Sequence, residues 1–106
     1  MKRSEEDFRV RRLFKGRYGL QGELSFANAG WALRKMLAVL REAERNVVID
    51  LADIQRADSA GVALLIELVR CAGRQKIRLS FANLPQQVEA LAAVSGVNDL
   101  LPRAAA

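Results

Sequence analysis

Along residues 17 to 24 the chain alternates Tyr18, Leu20, Gly22 and Leu24 with Arg17, Gly19, Gln21 and Glu23. That is the period of a strand with one wet face. Residues 8 to 14 precede it across Lys15-Gly16, so the two segments predict a hairpin. From Ala27 to Glu44 the period lengthens: Leu33, Met36, Leu37 and Leu40 recur at helical spacing opposite Arg34, Lys35, Arg41 and Glu42, with Ser25 or Asn28 as the expected cap. The run Asn46-Val47-Val48-Ile49-Asp50-Leu51 is short, β-branched and apolar on both faces, which predicts a central strand covered by helices on its flanks. A second helix is expected over 59 to 73, ending at Gly73. Period two returns from Lys76 to Phe81, with Ile77, Leu79 and Phe81 on one face. A third helix follows, capped by Asn83, with Pro85 in its first turn and Gly96 as its stop; Asn98 to Leu101 add one more turn before Pro102.

The order strand, strand, helix, strand, helix, strand, helix predicts an α/β fold: a small mixed β-sheet with flanking helices, whose later strands run parallel through right-handed crossovers. Val48, Ile49, Leu65, Leu68, Leu79, Phe81 and Leu91 are the expected core. A chain of 106 residues suits a single domain over 1-106, with 1-7 as a disordered N-terminus and 103-106 as a tail.

Composition narrows the function. The chain is 51% apolar and 27% charged, as in an ordinary globular domain. No apolar run approaches the roughly eighteen residues of a membrane span, and MKRSEEDFRV carries acids where a signal peptide has its apolar segment, so a cytoplasmic location is expected. Cys71 is the only cysteine and there is no histidine, so an intrachain disulfide and a cysteine-based metal site are excluded, and the commonest general base is missing. Neither GxxxxGK[ST] nor GxGxxG occurs. The expectation is a non-enzyme with no catalytic residue, no cofactor and no metal. Asp50, Asp53 and Asp58 form one acidic trio near a strand end, which reads as turn and helix capping more readily than as a metal or acid/base cluster.

The net charge of +5 is uneven, since residues 1 to 17 hold seven Lys or Arg against three acids. The segment RVRRLFKGR suits nucleic acid or anionic lipid, or else an exposed edge strand whose arginines discourage edge-to-edge pairing. The edge-strand reading is preferred, because aromatic stacking residues and further basic clusters are absent from the sequence, and no nucleic-acid partner is expected.

The stretch ADSAGVALL, Ala57 to Leu65, carries the most information. On a wheel of residues 59 to 74, Val62, Leu65, Leu68, Val69 and Ala72 share one arc and Glu67, Arg70 and Arg74 mark the other. Ala60, Ala63, Leu64 and Cys71 fall on or beside the outer arc, with Ser59 at its margin. This predicts a small, smooth, partly apolar patch at the helix start, either covered by a neighbouring loop or left for a partner. Ser59 is expected to cap the helix, at a place that also suits a phosphate. Trp31, on the polar side of the first helix near Lys35, Ala38 and Glu42, is either an accessory contact or a cover over a core edge. The candidate partner-binding residues are therefore Trp31, Asp58, Ser59, Ala60, Gly61, Ala63, Leu64 and Glu67, with Ser59 also the candidate phosphoacceptor.

Asp50-Leu51 closing a buried strand, followed by Ala57-Asp58-Ser59-Ala60-Gly61-Val62-Ala63-Leu64-Leu65, resembles the signature of the STAS domain family, and the resemblance runs from about Tyr18 to Pro102. That family includes anti-sigma-factor antagonists and the carboxyl-terminal domains of sulfate transporters. In the antagonists the serine after the aspartate is phosphorylated by a kinase that is itself the anti-sigma factor, and the motif continues with Ser or Thr, Gly, Leu and Gly. The continuation here is more similar to the MlaB-like group, also known through toluene-tolerance operons, as are Leu79-Ser80-Phe81-Ala82-Asn83-Leu84-Pro85 and Leu91-Ala92-Ala93-Val94-Ser95-Gly96. The MlaB-like resemblance implies a non-enzymatic cytoplasmic adaptor, peripheral at the inner membrane through its partner. That partner is the ABC ATPase subunit (MlaF-like) of a phospholipid transporter that maintains outer-membrane lipid asymmetry, in a complex with permease and substrate-binding subunits. Ser59 matches the family's Ser/Thr position, Asp58 the preceding acid and Ala60 to Leu65 the start of the docking helix. The alternative is an anti-sigma-factor antagonist regulated by phosphorylation of Ser59 by an anti-sigma factor kinase.

Overall fold

A computed structural model describes residues 8–105; the expected disordered segment 1-7 lies outside the described residues. Strands β1 (Arg9–Phe14) and β2 (Arg17–Leu24) form the expected hairpin, and Gly16 takes the positive φ of 76° that its tight turn requires. Helix α1 (Ala29–Arg41) follows, then β3 (Asn46–Ala57), α2 (Ser59–Arg74), β4 (Arg78–Ala82), α3 (Gln86–Ser95) and a 3₁₀ turn at Asn98–Leu100. The sheet order is β1-β2-β3-β4, antiparallel between β1 and β2 and parallel for the rest, so the mixed α/β architecture read from the element order is the one observed.

Both crossovers, β2-α1-β3 and β3-α2-β4, step to the adjacent strand in the same direction. A right-handed connection then places both helices on the same side. One face of the sheet is therefore covered and the other open. On the covered face Tyr18, Leu20, Leu24, Val47, Ile49, Leu51, Leu79 and Phe81 pack with Met36, Leu40, Leu65, Leu68, Val88 and Ala92. This corrects the expectation that β3 is covered on both faces: Val48 is only half-buried, on the open side. Leu91 is half-buried as well, because α3 turns Val88 and Ala92, one helical turn apart, to the core.

Other boundaries move for local reasons. β3 runs six residues past Leu51, because Ile54 and Ala57 still reach the core while irregularities in the pairing with β2 absorb the broken alternation. Asp53 thus lies inside the strand. α1 is shorter than expected at both ends, and Asn28, at its N-cap position, spends its side chain elsewhere: Oδ1 accepts from the Ser25 amide at 2.9 Å and Nδ2 donates to the Glu23 carbonyl at 2.7 Å. α2 continues through Gly73 to Arg74. Pro85, and not Asn83, occupies the N-cap of α3, with its carbonyl accepting from Glu89; Asn83 has φ +56° and donates to Asp50 at 3.0 Å. Gly96 closes α3 in the left-handed conformation. The expected tail does not hang free over its described part, since Phe81 donates to the Pro102 carbonyl and Ala104 to the Phe81 carbonyl, both at 2.8 Å. Arg103 thereby lengthens the β4 edge by one bridge.

Two substitutions test the packing. Leu65→Ala removes a fully buried side chain and is expected to cost about 2–5 kcal/mol in chemical denaturation. At Gly61 a Cβ would lie far inside contact distance of the Leu24 carbonyl oxygen and 2.9 Å from the Leu24 Cβ. Backbone cannot yield as a side chain can, so Gly61→Ala is expected to lower stability by roughly 1–3 kcal/mol despite alanine's better helix propensity. A Gly61→Ala melt equal to wild type would refute that close approach.

Candidate partner-docking site

The site begins with the carboxylate of Asp58, the N-cap of α2. Its Oδ1 accepts from the Ala60 amide at 2.9 Å and the Gly61 amide at 3.4 Å, satisfying donors that the first helical turn leaves orphaned. Its Oδ2 accepts from the Phe26 amide at 3.0 Å, in the loop that leads into α1. One side chain thus ties the start of α2 to the start of α1. The Asp58 amide adds a backbone link, donating to the Leu24 carbonyl at 3.2 Å. The cap expected at Ser59 therefore belongs to Asp58, and Ser59 is the first residue of the helix with its side chain in solvent.

The carboxyl of Asp58 is held below the ordinary carboxylate range, first by the Phe26 amide, then by those of Ala60 and Gly61 and by the charge of Arg56, against the opposing effect of partial burial.

The loop held this way is itself packed. Ser25 Oγ donates to the Glu23 carboxylate and accepts from the Ala27 amide at 3.2 Å, and Ser25 and Asn28 are both buried. What it presents is Phe26, 87% exposed. Beside this ring a shallow groove runs between α1 and α2, lined by Phe26, Ala29, Gly30, Leu33 and by Ala60, Ala63, Leu64 and Glu67. Ala60, Ala63, Leu64 and Glu67 are thus brought to one surface, with Ser59 at its N-terminal edge.

Leu64 and Cys71 correct the wheel, being only 4% and 6% exposed. A wheel drawn for one contact face misplaces them, because α2 packs both on the sheet and on α1 and so buries a wider arc. Leu64 remains as the floor of the groove. Gly61 is buried and small for an internal reason, its approach to Leu24. Trp31 is half-buried against the core, with the Lys35 Nζ 5.1 Å from its ring centroid, and does not line the groove. Phe26 has no place in the sequence pattern, because an aromatic in a turn has no period to reveal it; the one signal is a large apolar residue between Ser25 and Ala27, where a solvated turn prefers small or polar ones.

The acidic trio is not assembled. Asp50 and Asp53 line a depression on the open face, where Asp50 accepts from Arg17 at 2.8 Å, Asn83 at 3.0 Å and the Ala52 amide at 2.9 Å. Burial acts to raise the Asp50 pKa, but these bonds outweigh it and leave the carboxyl low. Among the described residues no group of three His, Cys, Asp or Glu is placed to hold a metal ion.

Residues 16–102 match the family described as Mlab, STAS domain. The chain belongs to the STAS domain family. Its solved neighbours show the same fold. An anti-sigma factor antagonist from Mycobacterium paratuberculosis superposes with a TM-score of 0.74 at 17% identity, covering 93% of this chain and 85% of that one. The anti-sigma factor antagonist SpoIIAA of Bacillus, unphosphorylated, gives 0.68 at 18% identity over 92% and 88%. The STAS domain of a SulP transporter from Vibrio cholerae gives 0.59 at 19% over 78% and 64%. No curated protein sequence matches the chain. STAS domains are in general binding domains without enzymatic activity that mediate contacts between proteins. No helix among the described residues is long and apolar enough to cross a membrane.

The Asp58 geometry sets a pH dependence. A carboxyl whose folded pKa is depressed adds stability that is complete above the unfolded value, about 3.9, and is lost as the pH falls through the folded value. Wild type is therefore expected to lose more stability between pH 6 and pH 3 than Asp58→Asn, in urea denaturation at each pH. At neutral pH, Asp58→Ala is expected to cost about 1–2 kcal/mol, having lost both the cap and the Phe26 bond. Equal acid dependence in wild type and Asp58→Asn would show that the clamp does not form.

Proposed function

We propose that the chain is a non-enzymatic adaptor of the MlaB-like kind, which docks on the ABC ATPase subunit of a phospholipid transporter and supports it, reaching the inner membrane through that partner. The observation that carries the proposal is the groove itself. An aromatic ring 87% exposed stands beside a floor of Ala29, Gly30, Leu33, Ala60, Ala63 and Leu64, and isolated soluble surfaces do not gather apolar side chains in this way without a use. The family match supports the choice of partner class, and the Ala60 to Leu65 continuation favours the MlaB-like branch over the antagonists. Small residues let a partner helix come close, and Phe26 offers an anchor of the kind that dominates interface energies.

A second reading rests on Ser59. Its hydroxyl is exposed on the first turn of α2 at the rim of the groove, where amides and the helix dipole accept negative charge. SpoIIAA, which resembles this fold, is solved in phosphorylated and unphosphorylated forms. A phosphate at Ser59 would bring charge to the edge of the contact and weaken it, as in an antagonist controlled by a kinase-type anti-sigma factor.

Co-purification from the native host separates the two readings: an ATPase with permease and substrate-binding subunits supports the first, a kinase-like protein and a phosphorylated Ser59 the second. Ala63→Glu and Ser59→Asp are expected to lower partner affinity by roughly a hundredfold, since each sets an unpaired charge in a desolvated contact. Phe26→Ser should weaken it as well. Melting temperatures are expected to change little, because Ser59, Ala63 and Phe26 are exposed. Ser59→Ala should bind and melt like wild type, as the cap is Asp58. Folded charge variants that bind as wild type would remove the groove from the interface.

A further inference from the structure

The end of the molecule opposite the groove is strongly basic, and only the topology makes it so. β2, β3 and β4 run parallel, so their N-terminal ends share one edge, and the helices that feed β3 and β4 deliver their C-terminal ends to the same place. Lys15 sits in the hairpin turn, whose Gly16 carbonyl accepts from Val48 at 2.8 Å. Arg41 ends α1 and Arg45 precedes β3; Arg74 ends α2, and Lys76 and Arg78 lead into and begin β4. The Arg78 amide donates to the Arg45 carbonyl at 2.7 Å, and Arg41, Arg45 and Lys76 line one depression. All six of these side chains belong to exposed residues, and none forms an ion pair among the described residues. The acids nearby are Glu42, Glu44 and, toward Arg74, Glu67; Glu44 is taken by Arg12 at 3.0 Å and by the Tyr18 hydroxyl at 3.1 Å, and Glu67 by Arg70.

Cations at helix C-termini stabilise the helix dipole, which accounts for Arg41 and Arg74. It does not account for Lys15, Arg45, Lys76 and Arg78. Nor does it account for Phe14, which stands 63% exposed next to Lys15 with Leu13 44% exposed beside it. Arg17, opposite Phe14 in the hairpin, lies 6.0 Å from the ring centroid and still leaves most of the ring in solvent.

We propose that this pole binds the surface of an anionic phospholipid bilayer, with the six cations over the headgroups and Phe14 entering the interface. Unpaired cations beside one exposed aromatic suit a charged, partly apolar surface. Nucleic acid fits less well, because among the described residues no row of stacking aromatics and no protruding helix accompanies the charge. The contact lies at the opposite end of β3 from the groove, so both surfaces can be occupied together. It goes beyond the adaptor reading and stands without it, since it requires no other protein.

The test is co-sedimentation of the purified full chain with phosphatidylcholine vesicles and with vesicles that also contain phosphatidylglycerol, at low and high salt. Binding is expected only to the anionic vesicles and is expected to weaken as salt screens the contact. Arg45→Glu combined with Lys76→Glu should weaken it at least tenfold, by roughly fivefold or more per cation, and Phe14→Ser by a smaller factor. Arg34→Glu, on an exposed face of α1 outside the pole, should stay within about twofold of wild type, with circular dichroism showing that each variant is folded. Absence of binding to anionic vesicles at low salt, or binding unchanged in the folded double variant, would overturn the proposal. So would a nucleic acid duplex that binds the same pole more tightly at equal ionic strength and displaces the vesicles.

Discussion

The carboxylate of Asp58 fixes the start of α2 to the loop that leads into α1, beside the pairing of β2 with β3. With one oxygen it closes the N-terminus of α2, and with the other it holds the amide of Phe26, thirty-two residues earlier. A backbone turn that carries a bare phenylalanine has little reason to keep one conformation in water, since ordering it costs entropy and the ring gains no burial. The charge-assisted bond to Asp58 and the internal bonds of Ser25 and Asn28 supply that reason. The groove between α1 and α2 exists because both helices start from the same anchored point.

The residues that follow Asp58 in ADSAGVALL divide between two tasks. Gly61 lets α2 lie against the backbone of Leu24, and Val62, Leu64 and Leu65 are buried, so these serve the fold. Ser59, Ala60 and Ala63 reach the surface and leave it smooth. An acid followed by small residues is what such a junction requires: a fixed acceptor at the helix end, room for a backbone beneath, and no bulk above.

A second constraint, the handedness of the crossovers, organises the molecule at long range. Because both parallel connections step the same way, α1 and α2 cover one face of the sheet, and β3 and β4 each start near a helix end. The N-termini of α1 and α2 meet at the groove, and their C-termini meet at the basic pole. The two ends thus differ in character, one apolar with an ordered carboxylate and the other cationic with an exposed ring.

Periodicity in the sequence was sufficient for the order and type of the elements, since period two in β2 and helical spacing in α1 and α2 directly reflect one-sided burial. The element order in turn implied the mixed sheet. The motif residues Asp58 to Leu65 were legible as a candidate site because small residues and an acid are unusual on a helix that otherwise has a normal amphipathic pattern. Their roles were not. Whether Asp58 or Ser59 caps the helix depends on the backbone at the end of β3, which runs past the point where its alternation fails. The burial of Leu64 and Cys71 depends on α1 lying alongside α2, a contact between segments distant in sequence. Phe26 and the cations at 15, 41, 45, 74, 76 and 78 carry no local pattern at all. They become surfaces only when loops and helix ends separated along the chain are brought side by side, and that juxtaposition is set by the direction of the strands and the hand of their connections, which no short window of sequence contains.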